Sequence, residues 1–245
     1  MLEQRKQWIR KRFGDIGNTL LGKIEDTKNI IWPDLVKEYE IRGNKLKFQM
    51  IKDIEKSAER IAEIYRNGLD EIIGNSEYEW HLVPDEIIKK VRTGDWNFYG
   101  CYFNGILILA ESFHIMRGQR AIQLVWAVVD PIYRGKGTWQ PWHEYLDSLI
   151  EMSGAQMGFC FVVTTHKYSQ IALEKIGYRP MGFFIGGEFM GGSDGYYYRQ
   201  NVIYYGKLFG EGKKHIQKLD NMELTEKAEK LVNTVKELWE YNEFC

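Results

Sequence analysis

Cysteine is scarce in this 245-residue chain, which contains three: Cys101, Cys160 and Cys245. Their number is odd and their spacing matches neither a disulfide framework nor a zinc-ligand pattern. The sequence therefore argues against a disulfide-rich secreted scaffold and predicts reduced thiols, as in a cytoplasmic protein, with no metal site.

Long apolar runs and an excess of charge of either sign are also missing. No stretch approaches the roughly 20 apolar residues that a bilayer-spanning helix needs, and the charged segment Met1–Trp8 lacks the apolar core of a signal peptide. The 33 basic and 34 acidic residues leave a net charge of −1. We therefore expect a soluble, cytoplasmic protein that partners neither nucleic acid nor a membrane.

The chain divides into three expected parts: a helical N-terminal arm over residues 1–44, a main domain over 45–209, and a linker with an amphipathic helix over 210–245. Apolar residues keep helical spacing in the arm, beside a basic cluster at its start. The arm either packs on its own domain or on a twin subunit, which is the commoner outcome, or touches a membrane or nucleic acid. Asn221 or Thr225 caps the C-terminal helix, which covers a domain face or pairs with another chain, so a homodimer through the terminal helices is one expectation.

The first half of the main domain predicts a strand, two helices and an antiparallel meander. The strand covers 46–51, Asp53 caps a helix reaching Ile72, and Pro84 opens a shorter helix. Three strands follow over 96–103, 106–116 and 121–129. Asn104-Gly105 joins the first two of these, and Asn-Gly between apolar runs is a strong hairpin signal.

A glycine-rich basic turn follows the third strand. The run from Ala121 to Val129 is almost wholly apolar, as in a strand buried on both faces. It passes through Asp130-Pro-Ile-Tyr into Arg134-Gly-Lys-Gly-Thr138, and a helix runs from there to Gly154, with Thr138 as its expected N-cap. Free backbone N–H groups at such a helix start favour an anion.

The second half of the main domain predicts a strand over 157–165 and a helix over 169–176 that Gly177 ends. Extended structure follows over 178–184 and restarts at Gly187. A loop over 190–195 then leads to a closing strand over 199–207. Together the segments predict an α+β (mixed α/β) fold: a twisted, mostly antiparallel sheet flanked by helices, with helical extensions at both ends.

Two motifs resemble those of the GNAT superfamily of N-acyltransferases. Arg134-Gly-Lys-Gly-Thr is similar to its acyl-CoA pyrophosphate loop, Arg/Gln-x-x-Gly-x-Gly/Ala, with Trp139 at the last position. His166-Lys-Tyr-Ser-Gln-Ile-Ala-Leu173-Glu-Lys-Ile-Gly-Tyr178 resembles Asn-x-x-Ala-x-x-Leu-Tyr-Glu-Lys-Leu-Gly-Phe. Here His166 replaces the Asn, and Leu173 replaces a tyrosine that often serves as general acid. The resemblance covers residues 46–207.

The resemblance implies an acyl-CoA-dependent N-acyltransferase, with acetyl-CoA or another acyl-CoA as co-substrate, a small-molecule amine as acceptor and no metal. Pantetheine would pair with Val128 and Val129, and His166 would either contact CoA or cap a helix. The pyrophosphate would be held by the turn residues, which are Arg134, Gly135, Lys136, Gly137, Thr138 and Trp139. The alternative is a non-catalytic CoA-binding or scaffolding protein on the same fold.

Acyl transfer to an amine needs a base, an oxyanion donor and an acid for the leaving thiolate. Glu111 is the predicted base, because a carboxylate in so apolar a strand needs either an exposed face, the commoner case, or a pocket that tunes its pKa. His114 lies on the same strand, and Glu188 is the alternative. The family resemblance implies the Val129 N–H as oxyanion donor, and Tyr168 is a nearby substitute for the missing tyrosine. A tyrosine-rich stretch, Tyr196–Tyr198 with Tyr204 and Tyr205, suggests either an aromatic acceptor pocket or ordinary packing.

Overall fold

A twisted eight-stranded sheet with helices on both faces forms the body of the protein. The computed structural model describes residues 3, 4, 7, 29–41, 43–69, 71–75, 77–214, 222 and 224–238. The strands are β1 (Lys37–Ile41), β2 (Asn44–Met50), β3 (Trp96–Phe103), β4 (Ile106–Met116), β5 (Ala121–Val129), β6 (Met157–Val163), β7 (Arg179–Gly191) and β8 (Tyr197–Leu208). The helices are α1 (Ile54–Gly68), α2 (Pro84–Arg92), α3 (Trp139–Ser153), α4 (Tyr168–Lys175) and α5 (Glu226–Leu238).

The strand order is β1-β2-β3-β4-β5-β6-β8-β7. Every neighbouring pair is antiparallel except β5 and β6, which run parallel. A parallel pair requires a crossover, and the glycine turn with α3 supplies it. The mixed, mostly antiparallel α+β fold is confirmed, and so are the bounds predicted for β3, β4 and β5.

Each face of the sheet has its own apolar core. One core holds α3 and α4 against the sheet around Trp142 and Leu146. The other holds α1 and α2 around Ile61 and Phe98. Because β4 and β5 lie mid-sheet and contribute buried side chains to both cores, they read as apolar on both faces.

Local capping explains where the helices begin and end. The Asp53 carboxylate accepts the Lys56 N–H at 3.3 Å at the start of α1, and Thr225 Oγ1 accepts the Ala228 N–H at 3.3 Å before α5, as expected. Gly154 ends α3 in the left-handed conformation, with φ of 80°. Thr138 occupies the N-cap position of α3, but its side chain makes no capping hydrogen bond, so that role for the hydroxyl was wrong.

The prediction of a helical arm over residues 1–44 was wrong at its C-terminal end. Residues 37–41 form β1, which pairs with β2, and Ile30 is buried in the core. β1 reads Lys-Glu-Tyr-Glu-Ile and alternates polar with apolar side chains, as an edge strand does. The basic cluster and apolar stripe predicted for the start of the arm lie mostly outside the described residues, as does Asn221.

Other boundaries also differ from expectation. Helix α1 ends at Gly68 rather than Ile72, because residues 71–74 turn so that Ile72 can bridge to Gly191. β7 is a single strand of 13 residues with two irregularities, and it includes Met190 and Gly191, which were expected in a loop. The expected linker begins with a 3₁₀ turn, Gly210–Lys213. None of the described residues of α5 is buried, and pairing of two copies through the terminal helices stays a prediction.

A buried ion pair fixes the start of the glycine turn. Asp130 is 2% exposed; it accepts the Ile132 N–H at 3.1 Å and pairs with the Arg60 guanidinium at 2.5 Å. Arg60 also donates through Nε to the Leu107 carbonyl at 3.0 Å. This arginine therefore ties α1 and β4 to the end of β5.

We expect Asp130→Asn to lower the free energy of unfolding by about 2 kcal/mol, because the Arg60 guanidinium loses its buried counter-charge and keeps only the half-exposed carboxylate of Glu63. The exposed pair Lys52–Asp34 offers a matched control, and Asp34→Asn should cost less than about 0.5 kcal/mol. Urea denaturation of both variants measures the difference; equal losses would show that the Arg60 pair adds nothing.

Candidate functional site

The candidate site is the wedge that opens where β5 and β6 separate. The two strands pair only at Ala121, Ile122 and Gln123, opposite 157–159, and then diverge. A cleft of about 1210 Å³ fills the gap. Residues 123–129 of β5 line one wall and residues 160–163 of β6 line the other.

A bulge in β5 lies beside the narrow end of the cleft. Ala110 pairs with Val128 and Ser112 with Val125, so Trp126 and Ala127 stand opposite the single residue Glu111. Trp126 has φ of 50°, a left-handed conformation that a bulky side chain rarely adopts. The Tyr65 hydroxyl donates to the Trp126 carbonyl at 2.6 Å, which holds the bulge from the α1 side.

A buried histidine and serine support the same bulge. His81 Nδ1 lies 2.7 Å from the Tyr78 carbonyl and therefore donates to it. Burial lowers the pKa of His81 to about 3, so its other nitrogen, Nε2, is an acceptor that faces Ser112 Oγ at 2.7 Å. Ser112 Oγ is also 2.9 Å from the Val125 carbonyl, and its single proton serves one of these two acceptors at a time.

The glycine turn lies at the wide end of the cleft. Gly135 and Gly137 adopt φ of 82° and 80°, which other residues avoid. Within the described residues, the N–H groups of 135–138 have no hydrogen-bond acceptor. Gly135, Gly137, Thr138 and Trp139 line the cleft, so free amide donors face it at the start of α3.

Side chains around the turn differ in where they point. Arg134 lines the cleft and its guanidinium donates to the Gly68 carbonyl at 3.3 Å. Lys136 does not line it; its Nζ lies 5.5 Å from the centre of the Phe103 ring. The Trp139 indole packs edge-on against His143, and its buried Nε1 has no partner within the described residues. The fit of an anion therefore depends on the amides, Arg134 and this indole N–H rather than on Lys136.

The edge of β5 that faces the gap carries Val129. The Asp130 N–H donates to the Ile108 carbonyl of β4 at 2.9 Å. Because N–H directions alternate along a strand, the Val129 N–H points the other way, to the edge that β6 has left. Val128, which also lines the cleft, has its side chain in the core with α1.

Glu111 lies at the narrow end of the cleft and is buried, 4% exposed, so the expected exposed face was wrong. The Trp142 indole N–H donates to its Oε2 at 2.5 Å. Burial raises the pKa of Glu111 from 4.5 to about 8, and the indole hydrogen bond opposes part of that shift. The carboxyl group therefore exchanges its proton close to neutral pH.

A second carboxylate, Glu188 on β7, lines the cleft as well. Burial, and then the charge of Glu77, raises the pKa of Glu188 from 4.5 to about 7. His114, the other candidate on β4, does not line the cleft; its ring stacks on Trp96.

The second motif places two residues at the rim. His166 and Tyr168 are exposed, line the cleft and lie ring to ring at 5.4 Å. Leu173 is buried and also lines the cleft, so it offers an apolar wall where the resembling motif has tyrosine.

Several solved structures with the same architecture are named as N-acetyltransferases. A protein assigned as a phosphinothricin N-acetyltransferase is 20% identical, covering 68% of this chain and 99% of its own, with a TM-score of 0.53. Mutant forms of the spermidine/spermine N-acetyltransferase SpeG from Vibrio cholerae are 13% identical, covering 69% and 95%, at 0.56. RimL, a ribosomal L7/L12 alpha-N-protein acetyltransferase, is 12% identical, covering 67% and 94%, at 0.50. This chain has the GNAT fold. No protein-family model and no curated protein sequence matches it.

Several polar residues that line the cleft were not singled out from the sequence, among them His143, Gln200 and Tyr78. His143 Nδ1 donates to the Trp139 carbonyl at 2.7 Å, and burial lowers its pKa. The position of His143, one turn into the helix that follows the glycine turn, is the only sequence feature that could have indicated its role. Tyr78 and Gln200 come from distant segments, which a local motif cannot bring together.

The described part of the chain contains neither a metal-binding cluster nor a membrane-spanning helix. Among the described residues, no group of three His, Cys, Asp or Glu side chains is arranged to hold a metal ion. No described helix is long and apolar enough to cross a membrane.

The raised pKa of Glu111 predicts a pH-dependent stability. The folded state keeps a proton that the unfolded chain releases above pH 4.5, so this contribution is full below 4.5 and is lost as pH rises to about 8. Between about pH 5 and about pH 8.5, the free energy of unfolding should fall by about 2 to 4 kcal/mol more in the wild type than in Glu111→Gln. Urea denaturation at both pH values checks this, with Glu151→Gln, at an exposed position of α3, as the control that should keep the wild-type loss. Parallel losses in wild type and Glu111→Gln would contradict the buried, protonated state.

Proposed function

We propose that the protein is an acyl-CoA-dependent N-acyltransferase that transfers acetyl from acetyl-CoA to the amine of a small molecule by direct attack. The observation that carries the proposal is the wedge between β5 and β6, with unpaired amides at its wide end and a buried carboxylate at its narrow end. The GNAT fold, shared with the acetyltransferases above, supports the same reading.

The residues at the wide end fit a pyrophosphate. The N–H groups of 135–138 and the Arg134 guanidinium supply the donors and the positive charge that its oxygens need. The free edge of β5 at Val129 offers backbone groups to the amides of a pantetheine arm, as a neighbouring strand would. His166 stands at the rim, where it contacts the same ligand.

The narrow end supplies the groups for transfer. When bound, the thioester presents an acyl carbon that the amine nitrogen attacks, so that the C–S bond breaks and a thiolate leaves. Glu111 accepts the proton that the ammonium loses, directly or through water, and the Val129 N–H stabilises the oxyanion. Leu173 cannot protonate the thiolate; Tyr168, at the rim, is the proposed donor, and water serves equally because a thiol pKa near 8.5 makes the thiolate a competent leaving group.

Calorimetry with acetyl-CoA tests the donor site. We expect wild-type protein to bind acetyl-CoA and Gly135→Ala to bind it about tenfold more weakly, because the added methyl group disturbs the amides that hold the anion. Gly105→Ala is the matched control: Gly105 has φ of 81° against 82° for Gly135, and both positions open onto empty space. Loss of affinity in both variants, or in neither, would count against the glycine turn.

The pH profile of transfer tests the base. For the best acceptor in an amine panel, kcat should rise with pH through about 8, and Glu111→Gln should lower kcat at least ~100-fold and remove that rise. Thiol release from acetyl-CoA is the readout. Glu188→Gln should keep the rise of kcat near pH 8. If instead the wild-type kcat rises near pH 7 and Glu188→Gln abolishes activity, the base is Glu188. Binding of acetyl-CoA without thiol release from any amine would favour the non-catalytic alternative.

A further inference from the structure

An unpaired polar group lies in the cleft wall away from the glycine turn. Gln200 on β8 is 5% exposed; its Nε2 lies 3.3 Å from Thr165 Oγ1, whereas its Oε1 has no hydrogen-bond partner within the described residues. A buried carbonyl oxygen without a donor costs about 1 to 3 kcal/mol. Gln200 lines the cleft, so a ligand N–H group there would satisfy it.

Glu188 is the cross-strand neighbour of this glutamine. The two Cα atoms are directly paired between β7 and β8, which places both side chains on the same face of the sheet. Within the described residues, burial and the like charge of Glu77 act on the Glu188 carboxylate, and no hydrogen-bond donor or cation offsets them. A single ammonium group has enough N–H bonds to donate to both side chains.

The acidic and basic residues of the cleft are unevenly placed. Glu188 lines the part near Tyr78, on which its charge acts, and the charge of Glu77 also acts on Glu188. Glu71 lines the cleft three residues after Gly68, nearer to Arg134. Among the described lining residues the one arginine or lysine is Arg134, held at the Gly68 carbonyl beyond the other end of β5. From Gln123 to Val129 the strand extends about 20 Å. An anionic group near Glu188 therefore has no fixed cation beside it.

Aromatic faces complete this part of the cleft. Tyr78, Trp126 and Tyr198 line it, and the rings of Tyr78 and Trp126 meet edge to face at 5.7 Å. The faces of such rings attract cations and give no attraction to carboxylates.

We propose that the acceptor is a cationic amine without a carboxylate, whose ammonium group is bound by Glu188 and Gln200. Free amino acids are disfavoured, because their α-carboxylate would lie beside Glu188 without a counter-ion. This inference rests on the proposed acyltransferase function and narrows its substrate class from amines in general.

Matched acceptor pairs test the proposal: tyramine against tyrosine, agmatine against arginine and cadaverine against lysine, each with acetyl-CoA. We expect kcat/KM to favour the decarboxylated member by at least ~100-fold, since like charges at close range cost several kcal/mol. Tyrosine methyl ester, which keeps the bulk but loses the negative charge, should behave like tyramine. Equal rates within each pair, or an ester as poor as tyrosine, would overturn the proposal.

Two variants test the residues. Glu188→Gln should reduce the preference to below ~10-fold and raise KM for the amine, and Gln200→Leu should raise KM for the amine without changing the affinity for acetyl-CoA. Glu151→Gln, at an exposed position of α3 outside the cleft, is the control and should behave as wild type. A wild-type preference in Glu188→Gln would remove Glu188 from the acceptor site.

Binding of the amine and its acetylation are measured separately and can fail independently. If no amine supports thiol release, the acyltransferase proposal fails, and calorimetry of tyramine and tyrosine against the protein still decides the binding question. Binding of tyramine alone supports the cationic subsite, whereas equal binding of both, or of neither, overturns it.

Discussion

The separation of β5 from β6 after Gln123 is the constraint on which the rest of the molecule depends. A strand in mid-sheet normally pairs along both edges, but here residues 124–129 keep a partner only on the β4 side. The exposed edge retains N–H and C=O groups that no other strand takes up, and such groups are costly unless a partner or water binds them. The cleft is therefore a defect in the sheet, and the extended, amide-bearing ligand that we propose would restore the missing hydrogen bonds.

The bulge and its supports allow a defect in mid-sheet without loss of order. Two residues of β5 stand opposite Glu111. Tyr65 holds the Trp126 carbonyl, and the His81–Ser112 pair holds the Val125 carbonyl just before the bulge. On the other face, Trp142 closes over the Glu111 carboxyl group. The same packing that preserves the wedge also removes the carboxyl group from water and brings its proton affinity close to neutrality.

The sequence predicts a structural feature well when neighbouring residues determine it, and poorly when the feature depends on contacts between distant segments. The meander was predicted to the residue, because Asn104-Gly105 fixes a hairpin and the apolar runs on either side have clear ends. β1 was missed because its charged alternation is as typical of a helix surface as of an edge strand. In the site, the glycine turn was found from its spacing. The burial of Glu111 was not, because a strand that is apolar on both faces gives no indication of which side chain points inward. Gln200 and Glu188 come together only through the register of β7 and β8, which no short motif encodes.

The closeness of Gly137 to Ile41 links the outermost strand of the sheet to the glycine turn. A Cβ atom at position 137 would lie 2.9 Å from Ile41 Cγ2, so the turn rests directly on β1 with no room between them. β1 pairs on one side only, with β2, and is therefore held more weakly than the central strands. By thermodynamic reciprocity, any ligand that orders the turn strengthens the docking of this edge by the same free energy, and fraying of the edge weakens the ligand equally. The segment that opens the described domain thus acts as an energetic part of a pocket that it does not itself line.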